Sequence, residues 1–101
     1  MDIKIEAPGH ANQNELRAYC EELLNKKFGK YEFLHAVDVK FSHENDETKV
    51  SIMFKPERGV MNYVSQSDKN EHKAFGKAID KMKTLIEKYK VKHYHNVHKT
   101  K

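Results

Sequence analysis

Apolar and polar residues alternate from the start of the chain. Ile3 and Ile5 fall on one side, with Asp2, Lys4 and Glu6 on the other. A period of two predicts a β-strand with one buried face. Pro8-Gly9 interrupts it, and the period changes. Leu16, Tyr19, Cys20, Leu23 and Leu24 recur at the spacing of a helix with one apolar stripe. Asn12 followed by Glu15 predicts a capping-box start. At about 100° per residue Lys27 returns to the stripe, so the regular helix is expected to end within Asn25 to Phe28, with Gly29 as its exit.

Three strands are predicted next. Val37, Val39 and Phe41 alternate with Ala36, Asp38 and Lys40, and Val50, Ile52 and Phe54 with Ser51, Met53 and Lys55. The polar run His43 to Glu47 separates them as a turn. Pro56-Glu57-Arg58-Gly59 is a second turn, with a glycine available for positive φ. Val60 to Gln66 is the last strand, in either of two registers: Met61, Tyr63 and Ser65 compete with Val60, Asn62 and Val64 for the inner face. Asp68 with Glu71 signals a second helix start. Ala74, Phe75, Ala78, Ile79, Met82, Leu85, Ile86 and Tyr89 then hold helical spacing for more than four turns. The order β-α-β-β-β-α predicts an α+β two-layer sandwich, a four-stranded sheet with both helices packed on one face. Residues 1–92 are expected to form one domain, and 93–101 a basic, flexible tail.

Charge is distributed unevenly. Residues 1–68 hold 9 Lys and Arg against 12 Asp and Glu, whereas residues 69–101 hold 10 against 3. The whole positive excess of +4 therefore lies in the last third, which points to a polyanion partner. On a helical projection Lys73, Lys77, Lys81, Lys88 and Lys92 line one shoulder of the apolar stripe, and Lys83 and Lys90 the opposite one. Five like charges along about 30 Å of helix repel one another but match a run of phosphates. Lys26, Lys27 and Lys30, at the end of the first helix, would extend this basic surface if the helices lie side by side.

Lys27-Phe28-Gly29-Lys30-Tyr31, followed by the strand Ala36 to Phe41, resembles the helix exit of the ribosome hibernation promoting factor and ribosome-associated inhibitor family. Ala78-Ile79-Asp80-Lys81-Met82, with Lys88, Lys90 and Lys92, is similar to that family's last helix. The chain departs from the pattern at Thr84-Leu85, where the family often has arginine and glutamine, and Lys26 competes with Lys27 for one role. The resemblance, to the short form, implies a fold like a double-stranded RNA-binding domain. It also implies a cytoplasmic protein, monomeric when free, that binds small-subunit rRNA in the mRNA and tRNA channel and keeps idle ribosomes inactive. Lys27, Lys30, Lys81, Lys88, Lys90 and Lys92 would meet rRNA phosphates. The alternatives are a double-stranded RNA-binding module acting away from the ribosome and a protein-interaction regulator using the open sheet face.

Other chemistry has little to stand on. Cys20 lies on an apolar stripe and reads as a small core residue, and a single cysteine fits a reducing compartment. His93, His95 and His98 have neither a second cluster nor a cysteine partner, so no metal is expected. There is no phosphate-cradling glycine loop, nucleophile elbow or HExxH motif, so no cofactor, no small-molecule substrate and no enzymatic activity are expected. No apolar run of about 18 residues occurs, so no membrane span is expected, nor any secretory signal at the amino terminus.

Overall fold

A computed structural model describes the backbone of residues 1–99 and the side chains of residues 1–92. The elements are β1 (Asp2–Glu6), α1 (Gln13–Phe28), β2 (Leu34–Glu44), β3 (Glu47–Pro56), β4 (Asn62–Asp68) and α2 (Glu71–Lys99). This is the expected order, with α2 carried to Lys99. The expectation of a flexible tail over 93–101 concerns residues outside those whose side chains are described.

The sheet order is β1-β2-β3-β4. β1 runs parallel to β2 because α1 carries the chain back over the sheet, whereas β2, β3 and β4 pair antiparallel. The β2–β3 hairpin is tighter than the polar run suggests. Glu44 pairs with Glu47, which leaves only Asn45-Asp46 to turn, and Asn45 sits at φ 56°. Asparagine is among the few residues that take this left-handed conformation readily. His43 and Thr48 thus belong to the ladder, not to a loop. In β4 the register question is resolved by Val64, which lies opposite Ile52 and is buried, so Tyr63 and Ser65 face outward. Val60 and Met61 precede the strand and are exposed.

Ile5, Val37, Val39, Phe41, Val50, Ile52, Phe54 and Val64 form the inner sheet face. Leu16, Cys20, Leu24 and Phe28 of α1 cover it beside β1, and Ala74, Phe75, Ala78, Ile79, Met82 and Ile86 of α2 cover it over β3 and β4. Tyr19, expected on the α1 stripe, is 40% exposed and rests edge-on against His72.

Three local expectations are corrected. The α2 cap is Asn70, not Asp68: its side-chain oxygen accepts from the His72 and Lys73 amides at 2.9 and 3.0 Å. Asn12 stands at the start of α1 without any side-chain cap bond, so no capping box forms there. Gly59 does not take positive φ, which Gly9 does at 80°. It is instead wedged against Pro56 and the Tyr89 ring, where an added Cβ would lie 3.2 and 3.4 Å from their carbons.

Candidate nucleic-acid interface

The neighbours of α2 give each lysine an address. On one side lies α1: Tyr19 packs at 4.6 Å from His72 and 6.2 Å from Phe75, ring centre to ring centre. Lys83 and Lys90 share this shoulder. On the other side lies the edge strand β4, where the Lys77 ammonium sits 2.9 Å from an Asp68 carboxylate oxygen and 3.4 Å from the Ser67 carbonyl. Lys73, Lys81, Lys88 and Lys92 follow this second shoulder, and all are exposed. The helical repeat places Lys73 and Lys92 about 29 Å apart along the axis.

The lysines of α1 join the first shoulder. Lys26 and Lys27 are exposed in the last turn of α1, where a cation is favoured by the helix dipole. Lys30 follows, with its ammonium 5.3 Å from the centre of the Tyr31 ring. Lys90 of α2 reaches the same ring at 5.2 Å. So Lys26, Lys27 and Lys30 extend the surface of Lys83 and Lys90, not the Lys73-to-Lys92 ridge.

Not all ten lysines are equally available. Lys77 is neutralised by Asp68, whose carboxyl is held below its ordinary pKa by the Asn70 amide and then by Lys77. Among the described residues Lys81, Lys83, Lys88 and Lys92 have no ion pair. An ammonium without a carboxylate partner keeps its full field for an external anion.

A polar cluster around buried His10 lies at the amino-terminal end of α2. The His10 side chain is 5% exposed, with Nε2 3.2 Å from Glu71 Oε2. Its ring stacks on His43 at 4.4 Å and meets Phe41 edge-on at 5.6 Å. The Glu71 contact is close in distance but poorly directed, so neither ring nitrogen has a well-formed hydrogen bond. Nearby, burial and then the Glu71 charge push the Cys20 thiol up to about 12. It is therefore protonated at neutral pH and inert as a nucleophile. No cluster of three or more potential metal ligands occurs among the described residues. His93, His95 and His98 lie outside the described side chains. No described helix is long and apolar enough to cross a membrane.

Residues 3–94 match the sequence model of the sigma 54 modulation protein / S30EA ribosomal protein family. The chain belongs to this family. Among solved structures, the S30EA fold described above resembles a ribosomal subunit interface protein from Coxiella burnetii. The TM-score is 0.80 at 19% identity, over 90% of this chain and 99% of that one. It also resembles the N-terminal domain of Protein Y from Thermus thermophilus. There the TM-score is 0.76 at 20% identity, over 88% of this chain and 99% of that one. At such identities these two likenesses speak for the fold. No match is found among curated proteins.

Sequence periodicity places the lysines but passes over Tyr31, which stands in a connection where no period operates. Its signal is aromatic density, Phe28, Tyr31 and Phe33 within six residues.

Proposed function

We propose that this S30EA-family protein is a ribosome-associated hibernation factor that binds small-subunit rRNA through the lysines of α2 and the α1 exit. The observation that carries the reading is the set of ammonium groups with no ion pair among the described residues, Lys81, Lys88 and Lys92 on one shoulder of α2 and Lys83 on the other, in a chain with this family membership. The helix is held in register by Phe75, Ile79, Met82 and Ile86, all buried against the sheet. Ammonium groups ranged along a firmly packed helix suit phosphate walls and read little of the base sequence. One relative of the same fold is named a ribosomal subunit interface protein, which is in keeping with a site on the ribosome.

The mechanism is occlusion. A domain seated in the mRNA and tRNA channel excludes both ligands without chemistry, acts in the cytoplasm as a monomer when free, and needs no cofactor. The test is sedimentation of tagged protein with ribosomes and separated subunits. Lys81→Glu with Lys88→Glu should leave the circular dichroism spectrum unchanged and move the protein to the top of the gradient. Normal co-sedimentation of that variant would overturn the reading. Equal binding to isolated RNA duplexes would instead favour a module acting away from the ribosome.

A further inference from the structure

The α1–β2 connection carries an aromatic chain that ties the two helices together. Past Gly29 the backbone makes two tight turns: the Tyr31 amide donates to the Phe28 carbonyl at 3.0 Å, and the Leu34 amide to the Tyr31 carbonyl at 3.2 Å. The half-buried Tyr31 ring lies 6.3 Å from Phe28 of α1 and 5.3 Å from Phe33. Phe33 in turn stands 4.8 Å from Tyr89 of α2, whose hydroxyl accepts the Arg58 amide at 3.0 Å. The ring is thus anchored on both helices, and Lys30 and Lys90 both come to it.

We propose that Tyr31 is the positioning residue that joins the basic exit of α1 to the basic end of α2 as one phosphate-facing surface. The inference rests on the RNA-binding reading above. A lysine side chain free in solvent samples many rotamers, and a polyanion must order it on binding. The negative face of an aromatic ring attracts an ammonium and narrows that search beforehand. Two ammonium groups drawn to one ring also repel each other, and a phosphate facing both relieves the repulsion. Lysines from segments sixty residues apart in sequence are in this way presented together.

Two variants separate the ring from its bulk. Tyr31→Phe keeps the aromatic faces, whereas Tyr31→Leu keeps apolar volume and removes them. In the NMR spectrum of the free protein, the Cε protons of Lys30 and Lys90 should be shifted upfield by ring current in wild type and Tyr31→Phe, and return to ordinary values in Tyr31→Leu. Affinity for isolated small ribosomal subunits should fall about five- to thirtyfold in Tyr31→Leu, the effect of having to order two lysine side chains on binding. Tyr31→Phe should bind like wild type. In a Lys90→Met background the loss on Tyr31→Leu should shrink by about half, since one contact is already gone. Unshifted lysine methylenes in the wild type would overturn the proposal. So would wild-type affinity in Tyr31→Leu while Lys81→Glu with Lys88→Glu abolishes binding. If the glutamate double variant also binds normally, the RNA reading falls, and the methylene shifts still decide on positioning by themselves. Should Tyr31→Leu not fold, the wild-type shifts alone decide.

Discussion

The two solvent-facing sides of this domain use lysine differently. The outer sheet face presents Lys4, Lys40, Lys49 and Lys55 among Asp2, Glu6, Asp38, Glu44 and Glu47. Its five carboxylates outnumber its four lysines, and two of those lysines are paired: Lys4 meets Glu6 at 3.4 Å, and Lys49 meets Glu44 at 3.7 Å. Lys4, Glu6, Asp38, Lys40 and Lys49, with Met53 and Tyr63, line a shallow concavity of about 450 Å³. The helical face carries more lysine, and apart from Lys77 its ammonium groups lack carboxylate partners among the described residues. Lysine count therefore says less than partnership. A surface whose carboxylates balance its lysines has little positive field left for a polyanion, and exposed pairs of this kind contribute little stability either.

Salt is expected to have the largest effect. If about six phosphates are engaged by the helical face, affinity for small subunits should fall roughly a thousandfold between about 50 and 200 mM salt. Titration by filter binding or fluorescence anisotropy reads this directly. A flat profile would mean that phosphate contacts do not dominate, whichever face is used.

Charge reversal asks which face it is. Lys81→Glu with Lys88→Glu adds two repulsive charges and should weaken binding by about a hundredfold or more, whereas Lys40→Glu with Lys49→Glu on the sheet should change it by less than about threefold. Equal losses from the two double variants would erase the distinction between the faces.

The sequence foretold the faces better than their detail. Alternation and helical spacing were enough for element order, layers and both apolar stripes, because each element buries one side. They left β4 open because Val60 to Val64 is apolar in both registers, and only the opposing Ile52 decides for Val64. The start of α2 differed from expectation because aspartate and asparagine both cap helices. Asp68 is instead drawn outward to Lys77 and leaves Asn70 to cap. The lysine projection was sound as geometry on one helix. It could not show that β4 supplies a carboxylate to Lys77, nor that Tyr31 brings Lys30 to Lys90, since both depend on contacts between elements distant in sequence.

A neutral substitution sharpens the comparison within the ridge itself. Lys81→Gln should lower the salt slope by about one and weaken binding severalfold. Lys77→Gln should change affinity by less than about twofold, because Asp68 already holds that charge. The salt slopes of the two variants, measured side by side, check this. Equal slopes would show that the Lys77–Asp68 pair opens when RNA binds.

The smallest effect concerns that pair in the absence of RNA. Asp68 keeps its carboxyl below the ordinary 3.8 through the Asn70 amide first and Lys77 second. The unfolded chain therefore takes up a proton at higher pH than the folded one does. The stability this group contributes is fully present above 3.8 and is lost as pH falls through its depressed folded value. Thermal melts from neutral pH down to about pH 2 should show a small extra decline in wild type that Asp68→Asn lacks. The Asp68 side chain still meets solvent at the protein's edge, so the difference between the two curves should be slight and should diminish further in high salt. Parallel curves across the acid range would mean that neither the Asn70 amide nor Lys77 holds the Asp68 carboxylate firmly in solution, and Lys77 would then rank with Lys81 as an available phosphate ligand.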